Sequence, residues 1–466
     1  MTSTARRAVD RVSAARMRAT VHELAADRYA GRRVGTPGGR AAAAWLAARL
    51  RELGGDVRLD GFPVADVRDL YATPVLEWHD GGTTRLRHRR DFAEHLASAD
   101  LPTPRTASLA PSADGDLRGR WVSAEPGDWA RACDLAEAQG AAGVLIARGV
   151  DAEGWMPKMI AGPPTRGVPI LAVRADLHRR LADTAADRPV QVTASAPLRR
   201  LDTHGLNVHA HFPRDGKPGP HAGFLRTLGP EFDADFPRAP GPDGEPGAHV
   251  GSPWATGGEP GPHADSPRTL DGESGAHVVG PGGGAGVRVL LTAHYDGVGD
   301  DPAVRLPAAA DNASGVAAVL EAARVLSTSP AASRVELSVA FLDGEEAGAR
   351  GSAHHAATLP EDTLVINLDG AAELHQAASV EAGGPAHALL ATLDQAGRLT
   401  GVPLRAGAMA SDNRRYAAAG LPAVGIGMGM PGYQTPAETP DRVRNDTLLA
   451  AARLLVATVE LLARRG

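Results

Sequence analysis

Three apolar runs in the second half of the chain each stop on an imidazole or a carboxylate. VRVLLTAHYDG (287–297) runs into His294 and Asp296, RVELSVAFLDGEE (334–346) into Asp343, Glu345 and Glu346, and TLVINLDG (363–370) into Asp369. The alternation of Val335, Leu337 and Val339 has the period of two that belongs to a strand, and short continuous apolar runs fit buried strands. Between the first two runs, AAADNASGVAAVLEAARVL (308–326) holds Asp311 in a polar turn. That turn opens a helix whose apolar face includes Val316, Val319 and Leu320, so Asp311 is expected at the helix's positive end. Strands alternating with helices predict an α/β fold, and the carboxyl ends of its strands are where such sheets present functional groups.

Taken singly, an acid at a strand end caps a helix or faces water. The adjacent pair Glu345 and Glu346, set beneath further acids, is different. Neighbouring carboxylates repel, and burying them is costly unless one is protonated or a cation lies between them. Cys133 is the only cysteine, so no intrachain disulfide can form and a metal site must use His, Asp and Glu.

The formal net charge is -6, lysine occurs only at Lys158 and Lys217, and no basic block is present, which argues against a nucleic-acid partner. No run approaches the roughly 20 apolar residues of a membrane-spanning helix. The arginine-bearing start lacks the apolar core of a secretory signal, and the expectation is a cytoplasmic protein.

Residues 1–96 form a first segment. Met17, Val21 and Leu24, then Leu46, Leu50 and Leu53, recur at helical spacing around the turn-forming run GRRVGTPGGR (31–40), and Val57 and Leu59 start a strand. Residues 97–200 read as a small inserted α/β accessory domain. It has a strand at Trp121 and Val122, a helix over 130–138, then GAAGVLIA (140–147) and VPILAV (168–173). The stretch 201–213 returns by a strand to the first segment, and 287–466 carries the candidate chemistry. Between them, 214–286 is rich in glycine and proline and repeats the units GKPGPHA, GEPGAHV, GEPGPHA and GESGAHV. So short and polar a period predicts a disordered expansion, and ordering one histidine per unit (His221, His249, His263, His277) around an ion costs too much backbone entropy.

His-Tyr-Asp at 294–296, Asp-Asn-Ala-Ser-Gly at 311–315, Gly-Glu-Glu-Ala-Gly at 344–348 followed by Gly351 and Ser352, and Asn-Leu-Asp at 367–369 resemble, in order and spacing, the motifs of the M28 zinc peptidases. The run 31–38 looks like that family's N-terminal pattern. The segment 97–200 is similar to a protease-associated domain in its Gly-Ala-x-Gly-Val turn and later Val-Pro strand. The resemblance implies a three-layer α/β/α zinc-exopeptidase fold with a mostly parallel mixed sheet, and two zinc ions. It implies that Asp311 bridges the ions, that His294 and Asp369 complete one site and that Glu346 serves the other. Glu345 would be the general base and Asp296 would orient His294.

The family's last histidine ligand is replaced. The segment GYQTPAETPDRV puts Gln434 at that place, and the family's Ser-Asp-His reads Ser411-Asp412-Asn413. An amide oxygen is neutral and a weaker ligand than imidazole. Three outcomes stay open: two zinc ions with Gln434 as a poor ligand, one zinc at His294, Asp311 and Asp369, or a site that binds without turning over. His354, His355 or His375 are candidate substitutes. The expected activity is hydrolysis of an N-terminal residue from a peptide or of a related small amide. A peptide-binding homologue, or a mono-zinc enzyme with altered amide or acyl chemistry, is the alternative.

Overall fold

The computed structural model describes residues 8–212, 286–329 and 334–465. The repeat assigned to 214–286 lies outside them save for its last residue, as do its four histidines.

The first helix, Ala14–Leu24 (α1), begins where the Ser13 hydroxyl accepts the Arg16 N–H and buries Met17, Val21 and Leu24 on one face. The second, Pro37–Glu52 (α2), opens with proline at its first turn and with Thr36 accepting the Gly39 N–H at 3.1 Å. A glycine in its first turn permits close approach: a Cβ on Gly38 would come within 1.9 Å of the Tyr29 carbonyl oxygen. The long strand Asp56–Leu70 (β1) then leads out of this layer.

Next comes a second, smaller unit with strands Leu76–His79 (β2), Thr83–Arg85 (β3), Phe92–Glu94 (β4), Leu101–Ala110 (β5), Trp121–Ser123 (β6), Gly143–Arg148 (β7), Ile170–Arg174 (β8) and Gln191–Ala196 (β9). Its sheet runs in the order β3-β2-β9-β5-β6-β7-β8-β4. Helices Trp129–Gln139 (α3) and Ala175–Asp187 (α4) cover it, and separate apolar clusters line the two faces, one around Phe92, Leu145 and Val173, the other around Val122, Cys133 and Val144. Gly143 has no room for a side chain, since a Cβ would lie 2.0 Å from the Trp121 ring. The boundary expected at 96/97 falls inside this sheet. Strand β2 pairs with β3 and β9, and β4 with β8, so the unit starts by Leu76. Those three strands are too short to show an alternation.

Leu198–Phe212 (β10) returns and pairs antiparallel with β1 from Asp56↔His211 to Leu70↔Leu198. The remaining elements are Val287–His294 (β11), Gly315–Leu326 (α5), Val335–Leu342 (β12), Arg350–Ala356 (α6), Leu364–Leu368 (β13), Ala378–Gly383 (β14), His387–Thr400 (α7), Leu404–Ala406 (β15), Asn413–Ala418 (α8), Ala423–Gly427 (β16) and Asn445–Leu462 (α9). The sheet order is β1-β10-β12-β11-β13-β16-β14-β15, parallel across β12, β11, β13 and β16 and antiparallel where β10 and β14 join.

Successive residues of the central strands point to opposite faces. Val289, Leu291, Phe341, Ile366 and Leu368 pack with α1, α2, α5, α7 and α9, whereas Leu290, Leu342 and Val365 pack with Ala356 of α6 and Tyr416 of α8. Helices on both faces of one mixed sheet make three layers, and central strands buried on both sides explain why their sequences read as continuous apolar runs. Among the described residues no helix is long and apolar enough to cross a membrane.

Candidate metal centre

The parallel strands β11, β12 and β13 end side by side, which brings their terminal polar residues together. His294 closes β11, and its Nε2 lies 3.0 Å from Asp311 Oδ1 and 3.2 Å from Asp369 Oδ1. Asp311 sits in the irregular turn Ala309–Ser314 before α5, and Asp369 follows β13 directly. Two ligands at about 2.0 Å in tetrahedral array around zinc stand about 3.3 Å apart, so these spacings fit one ion. Among the described residues, this is the set of metal-ligating groups whose ligand atoms all fall within 4.8 Å of one another.

Glu346 and Gln434 meet beside that set. The Gln434 amide nitrogen donates to Glu346 Oε2, while Glu346 Oε1 and Gln434 Oε1 are buried without a hydrogen-bond partner. Two unsatisfied buried oxygens are costly by themselves, and together they form a donor pair suited to a cation. The first set, an imidazole with two carboxylates, has spacings that fit a divalent ion, and beside it Glu346 and Gln434 offer one carboxylate and one neutral amide oxygen without a hydrogen-bond partner.

The backbone around the ligands is held by other acids. Asp296 faces His294, with Oδ1 3.4 Å from Nδ1, and its two oxygens accept the N–H groups of Glu345 and Glu346 at 3.2 Å each. One carboxylate thus ties the β11 end to the β12 end. Sequence reasoning missed Glu438. Its Oε1 accepts the N–H of Ala310 (2.9 Å) and of Asp311 (2.6 Å), and its Oε2 accepts the Gln434 N–H at 2.7 Å. It joins the Asp311 turn to the Gln434 turn, a role that a lone glutamate in PAETPD does not signal. Asn312, which the sequence motif gives no separate role, has a side-chain oxygen that accepts the N–H of Gly315 and of Gly370, and its amide donates to Leu368 O. Arg32, fully buried, donates to the carbonyls of Leu24, Tyr295, Pro307 and Ala308.

The field inside this cluster is strongly negative. Burial, then Asp311 and Glu345, push the Glu346 carboxyl well above the usual range, and burial with Asp412, Asp369 and Asp311 does the same to Glu345. Burial raises Asp412 to about 7 and Glu438 to about 8. His294 moves the other way. Burial alone would lower it, yet Asp369, Asp296 and Asp311 hold it well above its ordinary value. Glu345 is only half-buried, whereas Asp296, Asp311, Glu346, Asp369, Asp412 and Glu438 are buried. Tyr433 is 41% exposed, with Asp311 and Glu346 near enough to act on its hydroxyl.

The three histidines considered as substitutes are engaged elsewhere. His354 stacks on Phe62 near Asp60, His355 bonds the Tyr416 hydroxyl at 2.9 Å, and His375 is exposed beside Glu373. Asn413 turns to Glu381 at 3.3 Å.

A family model described as Peptidase family M28 matches residues 278–459. No curated protein matches the chain. Among solved structures, an aminopeptidase from Aneurinibacillus sp. strain AM-1 is similar at 20% identity and TM-score 0.62, over 98% of this chain and 95% of that one. BSAP, a zinc aminopeptidase from Bacillus subtilis, is similar at 20% identity and TM-score 0.62, over 96% and 94%. A peptidase M28 precursor from Shewanella amazonensis SB2B gives 15% identity and TM-score 0.64, over 98% and 96%. These likenesses establish a shared fold. The segment 278–459, which carries the site from His294 to Glu438, is similar to peptidase family M28.

Proposed function

We propose that this chain is a zinc-dependent, aminopeptidase-like hydrolase that removes an N-terminal residue from a peptide or cleaves a related small amide. The observation that carries the proposal is the convergence of His294, Asp311 and Asp369 at zinc-ligand spacing beside Glu345, the one half-buried acid of the cluster. Two of the structurally similar proteins are named aminopeptidases, and one of these a zinc aminopeptidase.

His294, Asp311 and Asp369 would hold one ion, and Asp311, Glu346 and Gln434 a second. Bound there, zinc supplies Lewis acidity that makes a water more acidic and polarises the scissile carbonyl. Glu345, open to solvent on one side, takes the proton of the attacking water and returns it to the leaving amine. A carboxylate suits both steps because burial, with Asp412, Asp369 and Asp311, keeps its proton affinity high. Asp296 fixes the His294 ring and the Glu345–Glu346 backbone in one geometry, and Glu438 fixes Asp311 and Gln434.

A single ion at His294, Asp311 and Asp369 is the second reading, favoured by the neutral amide of Gln434 opposite Glu346. The test is hydrolysis of a panel of aminoacyl amides by the zinc-loaded protein and by Glu345→Gln. We expect kcat to fall by roughly 10² to 10⁴ with zinc content unchanged. Equal rates in the two proteins would remove Glu345 from the reaction.

A further inference from the structure

One residue of the inserted unit touches both loops beside the candidate metal centre. Lys158 lies in the loop between β7 and β8, and its main-chain N–H donates to the Gln434 carbonyl at 3.0 Å. Its side chain is fully buried, and the ammonium donates to the carbonyl oxygens of Gly299 and Asp300, the latter at 3.0 Å, with Asp301 Oδ1 3.7 Å away. Residues 299–301 belong to the loop that leaves β11 just after Asp296. Lys158 therefore contacts both loops that flank the second donor pair, from a different unit of the fold.

Gln434 needs such support. Its φ is +54°, in the left-handed region that a residue with a Cβ occupies only when its surroundings hold it there. Its N–H is held by Glu438, its carbonyl by Lys158 and its side chain by Glu346. The Lys158 anchor is itself fixed. Asp301 pairs with Arg89 at 2.9 Å, Arg89 also pairs with Glu94, and the Arg89 carbonyl accepts the Met156 N–H at 2.9 Å, two residues before Lys158. A second contact between the same loops, Glu153 with Arg442 at 2.5 Å, is exposed, and an exposed pair holds little.

We propose that Lys158 is a positioning residue for Gln434: its main chain holds the Gln434 carbonyl, and its ammonium locks that main chain to the loop after Asp296. The inserted unit thereby sets the geometry of the second donor pair, which makes it part of the site. This inference rests on the proposed reading of Gln434 and Glu346 as the weaker metal position. An ordinary surface insertion would have no bearing on which ion binds how tightly.

The test uses the full chain with Lys158→Met, which removes the ammonium but keeps the stem, and Lys158→Gln, which can still donate to two carbonyls. In chelated protein, amide exchange in the segment 432–438 should speed up about tenfold in Lys158→Met, with β11 and β13 unchanged and Lys158→Gln intermediate. In zinc titrations, Lys158→Met should weaken the second ion by about tenfold and spare the first, the effect expected of an outer support of a ligand. In a Gln434→Ala background that selective loss should vanish, and Glu153→Ala should cause none. The inference is overturned if exchange at 432–438 is unchanged, if both ions weaken alike, or if the loss persists without Gln434. If the unmutated protein binds one zinc, the reading of the second position fails, and the exchange comparison alone decides the positioning role. If Lys158→Met does not fold, Lys158→Gln decides by the same comparisons with about threefold shifts.

Discussion

Two clusters of buried charge flank the loop that leaves β11, and they are neutralised in opposite ways. On the side of Asp301, the junction between the two units, His88, Arg89 and Lys158 face Glu94 and Asp301. Burial would raise both acids, but Arg89 and its neighbours win, holding Glu94 low and Asp301 at about 2. On the side of Asp296, at least six carboxyls share one imidazole, and Arg32, the nearby cation, is spent on backbone carbonyls. There burial and like charge act together, and Glu346, Glu345 and Glu438 are all pushed up. The first cluster carries its own counter-ions, and the second is relieved by protonation or by a cation, as the proposed zinc centre would supply.

That contrast can be broken at three points. Asp301→Ala leaves Lys158 buried without its carboxylate and Arg89 with Glu94 alone, and should lower unfolding stability by about 3 to 5 kcal/mol, read from urea denaturation. A loss below about 1 kcal/mol, the value of an exposed pair, would show that the junction is no buried clamp.

The second point is acid. Asp301 has its folded pKa depressed to about 2 from 3.8, so its contribution is present above the unfolded value and is lost as pH falls from there toward 2. The loss should be on the order of 2 kcal/mol. Stability curves of the unmutated chain and Asp301→Asn should converge over that window, and curves that stay parallel would contradict the depression.

The third point has the reverse sign. Glu346 is pushed up, so its ionised form is disfavoured in the fold, and Glu346→Gln removes that cost. The chelated variant should gain about 1 kcal/mol, a rise of a few degrees in Tm, while losing affinity for a second zinc. A drop in Tm would mean that the site carboxyls are compensated like those of the junction.

How legible each region was in the sequence follows from the range of its interactions. The strands ending at His294, Glu345 and Asp369 could be read because their apolar runs are local and their chemistry follows at once, and the register of three parallel neighbours then brings the ends together. The helices carrying Met17, Val21 and Leu24, and Leu46 and Leu50, could be read for the same reason. Glu438 was not legible, because its partners Ala310 and Asp311 lie far back in the chain and nothing around PAETPD marks it. Lys158, Arg89 and Asp301 were equally hidden, since a salt bridge between units has no sequence period. The unit boundary moved from 97 to Leu76 because β2, β3 and β4 are short and β1 passes toward them without a composition break.

The central claim is that the uncompensated acids are a zinc centre that hydrolyses amides. Its most direct measurement is zinc content after equilibrium dialysis, taken with aminoacyl-amide hydrolysis before and after chelation. The account predicts one tightly held zinc and a weaker second, with hydrolysis lost on chelation and restored by zinc. Less than one zinc per chain, or hydrolysis unaffected by its removal, would contradict it.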